Sequence, residues 1–146
     1  FGFEKVYKQG LNIKTPLNLK LQYIATESLR DGLISYDKRK GWRGPITNKN
    51  NIKNWSNDLK KFELEKSIGW ELAIVTKINK FSINIETKKK KKGFIKYEKI
   101  SWTKKEFEEL LKVGDVIYVK KIDKQNYNLM QLPKINGGIV VKIHLI

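Results

Sequence analysis

Trp70-Glu71-Leu72-Ala73-Ile74-Val75-Thr76-Lys77-Ile78 and Phe81-Ser82-Ile83-Asn84-Ile85-Glu86, separated by Asn79-Lys80, decide the fold. Both runs follow a period of two, are rich in β-branched residues and flank a polar pair that suits a tight turn, so they read as a β-hairpin. Gly93-Phe94-Ile95-Lys96-Tyr97 reads as a third strand, reached through Lys88 to Lys92, a run too charged to be anything but an exposed loop. After Trp102, Thr103-Lys104-Lys105-Glu106 fits a capping box and predicts a short helix to about Lys112. Gly114-Asp115 then turns the chain into Val116-Ile117-Tyr118-Val119, and Tyr127-Asn128-Leu129-Met130-Gln131-Leu132 is a fifth strand closed by Pro133. Three strands, a short helix and two strands is the order of a five-stranded OB-type barrel with the helix plugging one end.

Upstream, Leu11-Asn12-Ile13-Lys14-Thr15 alternates as a short strand, and Pro16 stops it. A helix follows, N-capped by Asn18, with an apolar stripe at Leu21, Ile24, Ala25, Leu29, Leu33 and Tyr36 that runs to about Lys40 before Gly41. Gly41-Trp42-Arg43-Gly44-Pro45 is a rigid turn. Between Asn48 and Ser67 the spacing of Ile52, Trp55, Leu59 and Phe62 predicts a second, surface-packing helix. Downstream, Gly137 to Ile143 forms a strand outside the barrel, which pairs with the Leu11 to Thr15 strand or is left open to aggregation. The fold class is therefore α+β, linker strand and helices with an inserted five-stranded OB-like β-barrel. Residues 1–67 are an interdomain linker segment, 68–134 the barrel, and 135–146 a strand of a neighbouring unit.

At 146 residues, 40% apolar and 32% charged, the chain is long enough for one real core. A formal charge of +16 points to an anionic partner, yet only three of the 31 basic residues are Arg. The abundance of Lys, Asn and Ile looks like codon drift, so a solvated lysine face outweighs a chosen ligand. No Cys is present, and the single His is His144, which argues against disulfides, thiolate metal sites and histidine chemistry; no cofactor is expected. No apolar run reaches membrane-spanning length. The chain opens on Phe1-Gly2-Phe3-Glu4 without a signal peptide, as a fragment of something longer would.

Two blocks of residues carry a family resemblance. The first is Gly10 to Thr15, Leu17, Leu21-Gln22, Ala25, Glu27, Leu29-Arg30, Gly32-Leu33 and the specific run Tyr36-Asp37-Lys38-Arg39-Lys40-Gly41-Trp42-Arg43-Gly44-Pro45. The second is Trp70, Ala73, Val75, Ile100-Ser101-Trp102, Gly114-Asp115-Val116-Ile117 and Tyr127 to Gly138. Together they closely resemble the linker and inserted OB-like domain of the class A, type 1a, penicillin-binding proteins. The resemblance implies that a membrane anchor and a peptidoglycan glycosyltransferase precede this region, and that a serine transpeptidase follows it, with residues 135–146 as its truncated first strand. Pro16, Asn18 and Lys40 depart from the family pattern, and the chain leaves it after Val141. A truncated reading frame or a cut piece would look like this.

The implied chain is no enzyme by itself. Ser-x-x-Lys, the nucleophile motif of such transpeptidases, occurs as Ser35-Tyr36-Asp37-Lys38 and Ser101-Trp102-Thr103-Lys104, but neither has the companion motifs, and chance supplies about one match. Glu106, Glu108 and Glu109 read as a solvated helix face rather than an acid–base pair. Binding is harder to dismiss. Phe81, Phe94, Tyr97 and Tyr118 are candidate stacking platforms of a barrel that holds single strands, although alternate strand positions are more often core. Arg39, Trp42 and Arg43 form the best-defined cluster, for which an Arg stacked on Trp to lock a turn is the plain reading. The candidate binding residues are therefore Arg39, Trp42, Arg43, Lys90, Phe94 and Tyr97, with no catalytic or metal residue. The expected role is a non-catalytic scaffold on the periplasmic face of the cytoplasmic membrane. Its partners would be the remaining domains of the parent synthase, glycan strands or a regulatory cell-wall protein, with weak nonspecific binding to anionic lipid or nucleic acid. The competing class is a free-standing basic OB-type single-stranded nucleic-acid-binding protein.

Overall fold

The computed structural model describes residues 16–50, 54–64, 66–135 and 138–139. The expected strand at Leu11 to Thr15, Ile52 of the second stripe and most of the Gly137 to Ile143 strand lie outside them.

One long helix, α1 (Leu19–Arg39), begins where Asn18 accepts hydrogen bonds from the Lys20 and Leu21 backbone N–H groups and ends before Gly41, which takes up φ +90°. Both ends fall where the sequence places them. The burial does not. Leu21, Ile24, Leu29 and Tyr36 of the apolar stripe are all exposed, whereas Thr26 and Asp37, on the flank of the stripe where Leu33 is half-buried, are buried.

After α1 the chain adds β1 (Thr47–Asn48), β2 (Trp70–Asn79), β3 (Ser82–Thr87), β4 (Lys92–Lys96), a one-turn helix α2 (Phe107–Leu110), β5 (Asp115–Lys121) and β6 (Tyr127–Met130). They form one antiparallel six-stranded sheet in the order β1-β5-β2-β3-β4, with β6 also on β5. β1 pairs with the start of β5 (Thr47 with Val116) and β6 with its end (Tyr118 with Met130), so the two lie end to end along one edge. The β2–β3 hairpin turns through Lys80-Phe81, since Asn79 pairs with Ser82. The sheet curls until Phe94 of β4 meets Asn126 beside β6 in a single parallel bridge, but the ladder goes no further. The expected barrel is thus an open, curled sheet rather than a closed one.

Gly93 shows how tightly the curl is packed: a Cβ there would lie 2.4 Å from the Tyr127 ring. Ala73, Val75, Ile83, Ile85, Ile95, Ile117, Val119, Tyr127 and Leu129 fill the inner face, closed by Ile100, Leu110 and Leu111. The alternate residues Trp70, Leu72, Ile74, Val116, Tyr118 and Met130 form a second core on the outer face, covered by Trp55 and Leu59. β2 and β5 are therefore buried on both faces, which is why Leu72-Ala73-Ile74-Val75 is uninterrupted in apolar character.

The segment that covers the outer core corrects a second expectation. Its described residues are turns at 54–58 and short 3-10 turns at Lys60–Phe62 and Lys66–Ile68, not an α-helix. Asn54, Ser56, Asn57 and Asp58 favour turns, and burying Trp55 and Leu59 on the sheet satisfies the apolar spacing without helical hydrogen bonds. The capping box is likewise absent. Thr103 ends a 3-10 turn, Lys104 adopts φ +57°, Thr103 Oγ1 accepts from Lys105 N–H at 3.4 Å, and the Glu106 carboxylate instead accepts from the Tyr97 hydroxyl at 3.1 Å. Beyond the sheet, β7 (Lys134–Ile135) pairs with β8 (Gly138–Ile139).

Candidate functional site: a buried carboxylate clasp

Asp37, in the last turn of α1, is 1% exposed, and its carboxylate is fully engaged. Its Oδ1 accepts from the Arg43 guanidinium at 2.6 Å and from the Lys134 backbone N–H at 3.1 Å, and its Oδ2 accepts from Gln131 Nε2 at 2.7 Å. The surroundings complete the set. Arg43 N–H donates to Gln131 Oε1 at 2.8 Å, Gln131 Nε2 donates also to the Gly41 carbonyl at 3.1 Å, and the Arg43 guanidinium reaches the Leu132 carbonyl. Burial alone would raise the Asp37 pKa; hydrogen bonds from Arg43, Gln131 and Lys134 outweigh it, and the carboxyl is held below its ordinary value.

The clasp joins residues 37–43, where the chain enters the sheet, to residues 131–134, where it leaves. The turn Gly41-Trp42-Arg43-Gly44-Pro45 is shaped by this: Gly41 at φ +90° and Gly44 at φ +108° swing Arg43 back over the helix end. Next to it, Trp42 packs edge-on to Trp102, with centroids 6.0 Å apart, and both rings lie against the inner core. Lys38 Nζ stands 5.4 Å from the Trp102 ring, and burial followed by repulsion from Lys120 lowers its pKa.

Of the candidate residues, Trp42 and Arg43 come together in this clasp, but not by stacking: Arg43 is taken by Asp37, and Arg39 lies over Tyr36 at 5.8 Å. A carboxylate is a stronger partner for a guanidinium than an indole face, so the ion pair displaces the expected stack. Phe94 and Tyr97 lie together elsewhere, on the outer face of β4 and just beyond it, with Phe81, which is 73% exposed. Tyr118 is not a platform: it sits in the outer core, its hydroxyl donates to the Phe62 carbonyl at 2.8 Å, and burial pushes its pKa up to about 12. Lys90 is exposed in the Thr87–Lys91 turn, apart from both groups, with φ +57°. Ser35 is exposed on α1, and Ser101 donates to the Glu98 carbonyl in a 3-10 turn. Asp37, Gln131 and Lys134 carry the clasp and were not among the candidates. An aspartate between basic residues at a helix end is a visible signal, but its partners 94 and 97 residues away are not.

Residues 42–135 match the penicillin-binding protein OB-like domain. Penicillin-binding protein 1A of Rickettsia conorii is 37% identical over 94% of this chain, and that of Pseudomonas aeruginosa 28% identical over 96%; in both the chain spans 18% of the relative's length. The crystal structure of penicillin-binding protein 1A from Haemophilus influenzae superposes with a TM-score of 0.65 at 26% identity, over 89% of this chain and 21% of that one. The matched stretch takes in the clasp's Arg43, Gln131 and Lys134, the neighbouring Trp42 and the whole curled sheet. The chain belongs to the penicillin-binding proteins, and its residues 42–135 are the family's OB-like domain, not a catalytic one.

Proposed function

We propose that this chain is a spacer within a class A penicillin-binding protein, holding a glycosyltransferase and a transpeptidase at a set separation on the periplasmic face of the cytoplasmic membrane. The observation that carries this reading is the Asp37 clasp. It locks the incoming helix to the outgoing strand, so that the curled sheet is looped out from a rigid root and forces on either side are transmitted through α1 and residues 131–134. The partners are then the remaining domains of the parent synthase. The free-standing nucleic-acid binder is not favoured, because the family match spans the whole sheet.

The test uses a full-length relative carrying the residues of Asp37 and Gln131, with both changed to Ala. Penicillin acylation and glycan polymerisation, measured separately, should persist, while the fraction of newly made glycan that becomes cross-linked should fall. Unchanged cross-linking in a stably folded double variant would sink the spacer role.

A further inference from the structure

The end of the sheet where β2 begins concentrates positive charge. β3 finishes there against β2, with Ala73 paired to Thr87 and Lys88 N–H donating to the Leu72 carbonyl at 3.1 Å, and β5 finishes there too, with Lys120 paired to Trp70. The curl brings the β5–β6 loop to the same place, since Phe94 N–H donates to the Gln125 carbonyl at 2.9 Å. Lys88 to Lys92 are thereby gathered with Lys120, Lys121 and Lys124, and all of them are exposed. The turn that carries the consecutive lysines is pinned. Thr87, 0% exposed, donates its N–H to the Lys91 carbonyl at 2.9 Å and accepts at Oγ1 from Lys91 N–H at 3.3 Å, while Lys90 reverses the chain at φ +57°. Glu63, Glu71, Glu86 and Asp123 stand among these lysines, but Glu63 is paired with Lys88, Glu71 is half-buried, Glu86 lies opposite Lys92, and the Asp123 carboxylate accepts from Gln125 and Asn126. Lys89, Lys90 and Lys91, at the tip, have no ion pair among the described residues. Residues 98–115, at the opposite end, carry four lysines and five carboxylates. Codon drift accounts for the number of lysines in the chain, not for this difference between its two ends.

We infer that this lysine tip rests on an anionic phospholipid surface. A turn at the end of a hairpin is convex, so it presents its ammonium groups to a plane rather than enclosing a strand. Each lysine is a compact charge on a flexible apolar stem, which reaches a separate headgroup phosphate without a fixed geometry. The charges lie close enough to act together, because neighbouring strands are about 5 Å apart, within the screening distance of physiological salt. Ile122, 47% exposed in the adjoining loop, adds an apolar side chain for the boundary beneath the headgroups. A site for single-stranded nucleic acid would combine such charge with stacking rings and guanidinium groups. Here the exposed rings of Phe81 and Tyr97 are at the other end of the sheet, and the three Arg lie elsewhere, at 30, 39 and 43. This contact goes beyond the spacer reading and stands on the tip alone.

The experiment is flotation of the 146-residue chain with vesicles of phosphatidylcholine alone, or of phosphatidylcholine with phosphatidylglycerol. The chain should float with the anionic vesicles at low salt, stay behind with the neutral ones, and be released by about 0.5 M NaCl. A lysine at a membrane surface strengthens binding about fivefold, so Lys89→Gln, Lys90→Gln and Lys91→Gln together should weaken it by about a hundredfold. The same change at Lys99, Lys105 and Lys112, exposed at the opposite end, removes equal charge and should weaken it by less than about threefold. All six side chains are exposed, so neither triple variant disturbs the core. Anionic vesicles should also shield Lys89, Lys90 and Lys91 of the unaltered chain from acetylation, a reading that needs no variant. No flotation with anionic vesicles at low salt, equal losses from the two triple variants, shielding of other lysines instead, or tighter binding to oligo-dT than to the vesicles would each overturn the assignment. Changing Asp37 and Gln131 leaves these lysines in place, so failure here is distinct from failure of the spacer role.

Discussion

At the scale of single residues, the Asp37 carboxylate is the polar group whose removal disturbs the root most directly. Asp37→Ala leaves the Gln131 amide and the Lys134 N–H without their acceptor and hands the exposed Arg43 guanidinium to solvent, at a cost of about 1–3 kcal/mol. Urea unfolding of the isolated chain measures it. The same carboxylate sets an acid limb. Its folded pKa lies below the ordinary 3.8, so its contribution is complete above that value and is lost as pH falls through the lowered one. Stability should decline below about pH 4, and Asp37→Asn should flatten that decline. Tyr118 sets the opposite limb. With its pKa raised from 10.0 to about 12, its contribution is complete below the ordinary value and is lost as pH rises through the folded one. Tyr118→Phe should remove this alkaline loss and cost about 1 kcal/mol at neutral pH for the hydrogen bond to the Phe62 carbonyl.

At the scale of elements, α1 separates helix formation from helix burial. Its cap, length and termination were legible because they depend on neighbours in sequence: Asn18, the 3.6-residue period and Gly41. Its partner face was not, because most of the apolar stripe, Leu21, Ile24, Leu29 and Tyr36, is exposed and the buried flank is anchored by polar Asp37. Changing Leu21 and Leu29, 63% and 54% exposed, to Ser should therefore alter thermal stability little, by less than about 0.5 kcal/mol each. A large loss in a melting experiment would mean that this stripe is covered in solution. The strands show the reverse case. Their alternation is local and reads directly, whereas the turns at 54–58 imitate a helix because a run that only has to place Trp55 and Leu59 on a sheet can share the helical spacing. Of the site, the sequence marked Trp42 and Arg43 but paired them wrongly, since the acceptor that wins Arg43 is known only once the helix end faces residues 131–134.

At the scale of the whole molecule, the two cores are not independent, because each contains alternate residues of the same strands β2, β5 and β6. Loss of either core removes support from the other, so the described body should unfold in one transition, with calorimetric and van't Hoff enthalpies in agreement. Trp55→Ala, which opens the outer core from a residue 4% exposed, should lower the midpoint of that single transition, at a cost of about 3 kcal/mol or more, rather than split it. Two separated transitions would show that the outer layer folds as its own unit.

The amino-acid sequence by itself determined the α+β class, the order of the strands, the limits of α1, the β2–β3 hairpin and the family to which these residues belong. All of these rest on local period, turn chemistry or ordered motifs, which are properties of neighbours along the chain. Tertiary structure alone decided that the sheet stays open, that β1 and the 54–68 segment complete its outer side, and that Asp37 rather than a Trp–Arg stack locks the root. Each depends on which of several chemically adequate partners lies within reach, and for residues some 90 positions apart only the folded backbone sets that distance.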